Sequence, residues 1–204
     1  MKVKQITYKE AVDFLLPRHY SGRKPQISKA FGLFVDEVLV AVCTFGKPAS
    51  PSLCVGVCGK EYSHLVYELN RLCRVDEYSG QLSQFVSKCL KLMSPAIIVS
   101  FSDTQMTHHG YIYQACNFLY TGCTKERTDK WTPSGKHSRH YKNEEQTGFR
   151  KVRSAKHRYI YFSGNKKLKR EWLNSLKYEI KPYPKGDNEN YTLGEYIKER
   201  IVCK

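Results

Sequence analysis

The stretch Ser100–Gly122, SFSDTQMTHHGYIYQACNFLYTG, decides the fold of this chain. It continues an apolar run, Ala96–Val99, whose β-branched residues predict a buried strand. A polar turn after Asp103 leads to the pair His108–His109, and the apolar spacing from Tyr111 predicts a short helix before a further strand. This succession is typical of α/β enzymes, which present catalytic groups at the carboxyl ends of strands.

Composition and charge indicate one globular domain with a polyanionic partner. The 204 residues include 41% hydrophobic residues, enough to bury a core in a single domain spanning 1–204. The formal charge is +15, from 34 Lys and Arg against 19 Asp and Glu. Such an excess causes self-repulsion that a polyanion relieves. Nucleic acid is the first candidate, an anionic membrane the second, and a ribosome-like structural role the third.

Neither a membrane span nor a secreted, disulfide-linked fold is expected. The longest apolar runs are strand-sized, and the N-terminal MKVKQITYKE lacks the apolar core of a secretion signal. The eight cysteines are therefore expected to be reduced, mostly buried thiols of a cytosolic protein. Cys54, Cys58 and His64 are a weak alternative as a metal site, since no second cysteine pair has ligand spacing.

The order of predicted elements indicates the fold class. Seven strands are predicted, with helices after the first, fourth and fifth; the strands are 3–8, 31–35, 38–45, 65–74, 96–99, 118–120 and 158–162. The clearest helix is 82–93, and residues 46–63 are expected to form a loop with one helical turn. This predicts an α/β (α+β) domain with a mixed, mostly antiparallel sheet of about seven strands flanked by helices. The order resembles the GCN5-related acyltransferase (GNAT) fold, which binds acyl-CoA between its fourth and fifth strands.

The fourth strand and the following helix carry candidate binding residues. Glu68 and Arg71 fall inside a predicted strand, and buried charges need partners. They either pair with each other or neighbouring strands, or they serve in binding. The loop 75–80 opens onto the N-terminus of helix 82–93, a position that suits a phosphate. Ser83 could donate a hydrogen bond there, or simply stabilise the start of the helix.

Most of the positive charge lies in one region. Residues 125–170 contain fifteen Lys or Arg and four Asp or Glu, with aromatic residues among them. Residues 124–150 are predicted to be a long surface excursion, and residues 164–204 a basic helix and tail. Cations neutralise phosphates and aromatic rings stack on bases, so a nucleic-acid surface is predicted here, with a solvated basic loop as the alternative. The predicted DNA-binding residues are Arg23, Lys130, Trp131, Lys136, Arg139, Lys156 and Arg158.

Ordered sequence blocks resemble the Mom family of bacteriophage DNA-modification proteins. They cover most of the chain and are HYSGR (19–23), ELNRL (68–72), SFSD (100–103), His108, Gly110, IYQA (112–115), LYTG (119–122), KHRYIYF (156–162) and PYPK (182–185). The resemblance implies a GNAT-like transferase that converts adenine in double-stranded DNA to a carbamoylmethyl derivative of its exocyclic amine. Such a protein would protect phage DNA against restriction in the cytoplasm of the bacterial host.

The same resemblance implies site residues. Arg71 and Ser83 match positions that hold acyl-CoA, such as acetyl-CoA, although the loop before Ser83 lacks the glycine-rich signature of ordinary GNAT acetyltransferases. His19, Tyr20 and Asp103 match the reaction centre, where a histidine and a carboxylate could act as general base and orienter, or share a metal. The family is linked to iron, for which His19, Asp103 and His108 are the predicted ligands.

The chemistry of the substrate adds constraints. The adenine amine is a poor nucleophile because its lone pair is delocalised into the ring, and the base must leave the stack to reach an active site. Trp131, Tyr141 and Phe149 are candidates for supporting an extruded base. Two rival functions remain open, namely a conventional acetyltransferase acting on a small amine or protein, and a non-enzymatic nucleic-acid-binding module.

Overall fold

The computed structural model describes residues 2–78, 80, 82–131, 148–187 and 200–203. The strands of this described part are β1 (Lys2–Gln5), β2 (Lys29–Val35), β3 (Val38–Gly46), β4 (Val66–Arg74), β5 (Ala96–Asp103), β6 (Leu119–Cys123), β7 (Arg127–Lys130), β8 (Phe149–Arg153), β9 (Lys156–Ser163) and β10 (Ile201–Cys203). Its helices are α1 (Tyr8–Leu15), α2 (Pro51–Cys58), α3 (Leu82–Leu92), α4 (Tyr111–Ala115) and α5 (Lys166–Asn174).

The main sheet confirms the predicted fold class. Within the described ranges it has seven strands in the order β1-β2-β3-β4-β5-β9-β6, and its pairs are antiparallel apart from β4 with β5. The predicted hairpin of β2 and β3 is present, and its turn residues Asp36 and Glu37 both have positive φ. This is the mixed, mostly antiparallel sheet that the order of elements predicts.

The first helix begins at a capped turn. The Thr7 hydroxyl accepts a hydrogen bond from the backbone N–H of Glu10 (3.2 Å), and the Glu10 carboxylate accepts one from the Thr7 N–H (2.7 Å). This capping box satisfies two amide groups that the helix itself leaves unpaired. The first strand therefore ends at Gln5 and is shorter than the predicted strand 3–8.

The parallel pair β4 and β5 opens a cleft at its carboxyl end. The two strands pair only over Val66–Leu69 and Ile97–Ser100. Beyond that point the rest of β4 continues to pair with β3, whereas the rest of β5 pairs with β9. The backbones diverge, and Arg74 and Asp103 end the two strands on either side of the opening.

Helices cover both faces of the main sheet. Successive side chains of a strand point to opposite faces, so the neighbours Ile97 and Ile98 of β5 belong to different hydrophobic clusters. Phe85 of α3 packs in the cluster with Ile98, and Trp172 of α5 packs in the cluster with Ile97. The predicted helix 82–93 is confirmed, and its apolar stripe is what anchors it.

The predicted loop 46–63 contains a full helix, α2. It has eight residues, begins at Pro51, and packs Val57 and Cys58 against the sheet. Pro is well suited to a first helical position, because the N–H that it lacks has no partner there. The expectation of a single helical turn was wrong because the run PSLCVGVC is apolar on most sides and shows no helical period.

A second sheet forms where an unstructured excursion was predicted. In the described part of the chain it has three strands in the order β10-β8-β7. The prediction for 124–150 was therefore wrong at both ends, which are the strands β7 and β8; residues 132–147 lie outside the described residues. Polar contacts across the pair join these strands, including Arg150 to Thr128 (2.6 Å) and Arg153 to Asp129 (2.7 Å).

No helix among the described residues is long and apolar enough to cross a lipid bilayer. The eight cysteines, all within the described ranges, are free thiols, and five of them are buried.

Candidate active site

A cavity of about 420 Å³ lies in the cleft between β4 and β5. Its walls include Arg74 from the end of β4, Ser102 from β5 and Leu82 at the start of α3. The loop after α1 adds His19 and Tyr20. The structure therefore has a cavity at the place where the sequence predicts binding of an acyl donor, and we call it the donor cavity.

A second cavity, of about 380 Å³, adjoins the first at His19 and Tyr20, which line both. Its other walls come from Arg71 and Asp103 of the main sheet and from Lys151–Ser154 at the end of β8. The predicted reaction-centre residues His19, Tyr20 and Asp103 thus meet in this one space. We call it the cationic cavity, because its lining includes Arg23, Arg71, Lys151, Arg153 and Lys156.

His19 is buried and neutral. Burial lowers the pKa of His19 to about 3, helped by the positive charge of Arg71 and by His108. The Nδ1 atom accepts a hydrogen bond from the backbone N–H of Ser21 (3.1 Å), so in the neutral ring the proton resides on Nε2. His19 is therefore a hydrogen-bond donor at Nε2. The expectation that it acts as a general base stays a prediction, and a pKa this low would make it a weak base.

Tyr20 is a second neutral donor beside it. The ring of Tyr20 stacks on His19, with centroids 4.4 Å apart, and meets His108 edge-on at 5.8 Å. Burial and, to a lesser extent, the charge of Asp103 raise the pKa of Tyr20 to about 12, against the opposing charge of Arg71. The phenol consequently keeps its proton at neutral pH.

Asp103 is a charged group that is held in place by several donors. Its Oδ1 accepts hydrogen bonds from Ser154 Oγ (2.5 Å) and the backbone N–H of Gln105 (3.0 Å), and its Oδ2 pairs with Lys156 Nζ (2.5 Å). Burial alone raises the pKa of Asp103, but these bonds and the charge of Lys156 outweigh it and leave the pKa below its ordinary value. Asp103 therefore orients its neighbours as a carboxylate.

The predicted iron site is not assembled. Among the described residues no group of three or more His, Cys, Asp or Glu side chains could hold a metal ion. The Asp103 carboxylate already accepts hydrogen bonds from Lys156, Ser154 and Gln105. The Nδ1 atom of His19 accepts one from the Ser21 N–H, which leaves the proton of the neutral ring on Nε2. His19, Asp103 and His108 form no such group among the described residues, and neither do Cys54, Cys58 and His64, so the structure gives no support to the iron prediction.

Glu68 and Arg71 of β4 affect each other electrostatically. Burial lowers the pKa of Arg71, while Tyr20 and Glu68 raise it. Burial also raises the pKa of Glu68, against the charges of Arg71 and Lys156. The pKa values of two carboxyl groups are thus shifted in opposite directions. The pKa of Glu68 is raised and the pKa of Asp103 is lowered.

Arg71 and Ser83, which the resemblance assigns together to acyl-CoA, lie in different places. Arg71 lines the cationic cavity. Ser83 lies in the first turn of α3, half-buried, next to Leu82 of the donor cavity. The cation that lines the donor cavity near this helix start is Arg74, whose guanidinium donates to the carbonyls of Asp76 and Tyr78. Sequence reasoning missed Arg74, although it ends the predicted strand 65–74.

The predicted DNA-binding residues lie in different surroundings. Arg23 and Lys130 are exposed, and Trp131 packs edge-on against Phe149 with centroids 6.2 Å apart. Lys156 is bound to Asp103. The guanidinium of Arg158 donates to the Thr121 hydroxyl (2.9 Å) and lies 3.5 Å from the ring centroid of Tyr178. Lys136 and Arg139 lie outside the described residues. Lys151 and Arg153, not predicted, line the cationic cavity.

Comparison with known proteins places the chain in a family. The sequence model of the Mom protein family matches residues 1–185. A curated relative, the methylcarbamoylase Mom of Escherichia phage Mu, is 25% identical over 206 residues, which cover 91% of this chain and 84% of the relative.

Solved acetyltransferases are distant structural neighbours. An N-acetyltransferase from Staphylococcus aureus Mu50 has a TM-score of 0.47 and 11% identity, covering 79% of this chain and 97% of that one. An IAA acetyltransferase from Bacillus cereus has a TM-score of 0.49 and 13% identity, covering 79% and 98%. The family match extends over nearly the whole length of the chain, from the first strand to the segment that follows α5. The chain therefore belongs to the Mom protein family.

Proposed function

We propose that this protein is a GNAT-like transferase that converts adenine in double-stranded DNA to a carbamoylmethyl-type N-substituted adenine. Acting in the cytoplasm of a bacterial host, it would protect phage DNA from restriction. The observation that carries the proposal is the meeting of the donor cavity and the cationic cavity at His19 and Tyr20. A transferase needs two substrates to meet at one point, and membership of the Mom family supports DNA as the acceptor.

The donor cavity is proposed to bind an acyl-CoA such as acetyl-CoA. Arg74 and the first turn of α3, with Leu82 and Ser83, offer a guanidinium and backbone N–H groups, which suit phosphates. No role for iron is proposed, since the residues predicted to bind it do not form a site.

The residues shared by the two cavities are proposed to stabilise developing negative charge. Neutral donors aimed at an oxygen that becomes anionic lower the barrier to transfer, because they are held in place before the reaction. His19 Nε2–H and the Tyr20 phenol are such donors, and neither loses its proton near neutral pH. Glu68, whose pKa is raised by burial, interacts electrostatically with Arg71 and Lys156, and Asp103 positions Lys156.

DNA is proposed to lie across the small sheet. This sheet carries Lys130, Arg150 and Lys151 on strands that lead to the cationic cavity. Phosphate neutralisation by such residues gives affinity that is independent of sequence. The target base must leave the helix before its amine can reach His19 and Tyr20, and the pair Trp131 and Phe149 offers aromatic surface for it.

The test is expression in bacteria, enzymatic digestion of the DNA to nucleosides, and mass spectrometry. The wild-type protein should yield a modified deoxyadenosine. Tyr20→Phe should lower the yield by about 100-fold, the range expected for a lost proton donor. Tyr8→Phe, at a tyrosine that is 53% exposed on α1, is the matched control and should modify DNA as the wild type does.

Other outcomes would assign the rival functions. Acetyl-CoA turnover on small amines with no modified nucleoside would indicate a conventional acetyltransferase. Salt-dependent DNA binding with an unchanged nucleoside profile would indicate a binding module. Either result would refute the proposed reaction.

A further inference from the structure

A serine hydroxyl in the wall of the donor cavity has no internal partner. Ser102 of β5 is 5% exposed and lines this cavity. Its buried Oγ makes no hydrogen bond to any of the described residues. Most buried hydroxyls in proteins are hydrogen-bonded, because leaving one unpaired costs free energy. An unpaired hydroxyl in a cavity wall therefore indicates a contact that a ligand completes.

The preceding serine on the same strand shows how such a hydroxyl is paired within the protein. Ser100 lies two residues before Ser102, so the two side chains point to the same face of the sheet. The Ser100 hydroxyl donates to the backbone carbonyl of Leu69 on β4 (2.9 Å). Leu69 and Ser100 are also the last residues at which β4 and β5 pair. Ser102 lies beyond that point, where β4 has separated from β5 and supplies no equivalent carbonyl.

The face of the sheet on which Ser102 lies is the face that α3 covers. Ile98, four residues earlier on the same face, packs in one cluster with Phe85 of α3. Leu82, the first residue of α3, lines the donor cavity together with Ser102. A ligand that extends from the start of α3 into the cleft therefore passes along the side of β5 that carries Ser102. It would lie beside Ser102 as β4 lies beside Ser100.

Gly110 leaves space around the Ser102 hydroxyl. It lines the same cavity, and an added Cβ at this residue would lie 3.0 Å from Ser102 Oγ. The hydroxyl is covered in this structure, but a serine side chain has three staggered positions about its Cα–Cβ bond, so rotation about one bond redirects it. His19 and Tyr20 line this cavity too, so a group held by Ser102 lies in the space that reaches the proposed reaction centre.

We propose that Ser102 is a donor-binding residue whose hydroxyl donates to a carbonyl oxygen of the acyl donor, as the Ser100 hydroxyl donates to the carbonyl of Leu69. An acyl-CoA carries such oxygens in its amide groups and in its thioester. This inference rests on the proposed function and adds a donor-binding residue that the resemblance to the Mom family does not assign. It also gives a reason why the Ser102 hydroxyl is unpaired within the protein.

The experiment compares Ser102→Ala with Ser100→Ala, which remove the same hydroxyl from one face of one strand. Urea unfolding at pH 7 measures stability, and isothermal titration calorimetry measures affinity for coenzyme A and for acetyl-CoA. Ser102→Ala removes a group with no internal partner, so its urea midpoint should equal or exceed that of the wild type. Its affinity for acetyl-CoA should fall about fivefold, as expected for the loss of one neutral hydrogen bond.

Ser100→Ala is the matched control with the opposite result. It leaves the buried carbonyl of Leu69 without the Ser100 hydroxyl, so its urea midpoint should fall by about 0.5–1.5 M. Its affinity for both ligands should equal that of the wild type. Ser102→Ala should therefore lose binding and keep stability, whereas Ser100→Ala should lose stability and keep binding.

The two ligands distinguish the two kinds of carbonyl. Weaker binding of acetyl-CoA alone by Ser102→Ala would support a contact with the thioester, and an equal loss for coenzyme A would support a contact with an amide of the coenzyme. Unchanged affinity for both ligands would overturn the inference. A fall of the urea midpoint as large as that of Ser100→Ala would overturn it too, because the hydroxyl would then have a partner within the protein.

These failures differ from failure of the proposed function. If the wild-type protein binds acetyl-CoA and modifies deoxyadenosine while Ser102→Ala keeps its affinity for acetyl-CoA, Ser102 has no part in donor binding and the function stands. If the wild-type protein binds neither acetyl-CoA nor coenzyme A, the proposed donor is wrong, and the role of Ser102 is refuted with it.

Discussion

The burial of a neutral His19 predicts a specific dependence of stability on pH. The pKa of His19 is lowered from an ordinary 6.5 to about 3 in the folded protein. Because the unfolded chain binds the proton more readily, this histidine favours the folded state fully above pH 6.5, and that advantage is lost as the pH falls from 6.5 towards 3. Between pH 7 and pH 5 the loss is about 2 kcal/mol for one histidine.

The variant His19→Asn isolates this contribution. Its side-chain oxygen can replace Nδ1 as the acceptor for the Ser21 N–H, while the titrating group is removed. In urea unfolding at pH 7 and pH 5, the wild type should lose about 2 kcal/mol more than the variant. With a slope near 2 kcal/mol per M, the wild-type midpoint should fall by about 1 M more.

The control is His64→Asn, which removes an exposed histidine and should follow the wild type at both pH values. Equal pH dependence in the wild type and in His19→Asn would refute the reasoning. It would mean that His19 gains a proton in the folded protein as easily as in the unfolded chain, and the role of a neutral donor would be lost with it.

Two further predictions concern the residues that hold the centre in place. Asp103→Asn should lower the free energy of unfolding at pH 7 by about 2 kcal/mol, less than a fully buried pair because Lys156 is 41% exposed. The lowered pKa of Asp103 makes this contribution fade as the pH falls below the ordinary value of 3.8, so chemical unfolding of both proteins should converge in acid. Gly110→Ala should cost about 1–3 kcal/mol more than Gly148→Ala, because both glycines have φ of 73° but only at Gly110 would the new Cβ meet the Tyr159 ring, at 2.6 Å. Equal losses in chemical unfolding of the two alanine variants would contradict this packing argument.

Much of the main sheet could be predicted because its signals are local. The β-branched run Ala96–Val99 and the three- and four-residue spacing of 82–93 each depend on a period that the sequence displays. The order of these elements was then enough to predict the cleft at the ends of β4 and β5. Thr7 and Glu10 have the spacing of a capping box, which is also a local signal. The alternation of apolar and polar residues in 3–8 nevertheless led to the prediction of a strand there.

The small sheet could not be predicted, because its strands lack that kind of signal. β8 reads FRKVR, and β7 reads RTDK, so neither alternates between apolar and polar residues. Their pairing depends on contacts between residues more than twenty positions apart, such as Arg150 with Thr128. Long-range polar pairing of this sort leaves no period in the sequence.

The sequence predicted which residues form the candidate site better than it predicted the contacts that they make. The resemblance to the Mom family brought His19, Tyr20 and Asp103 together, and the structure places them in one cavity. Nothing in the sequence indicates that a backbone N–H occupies His19 Nδ1, or that Lys156 is paired with Asp103. Those contacts favour the orienting role among the two expected for Asp103, and they leave the proton of neutral His19 on Nε2.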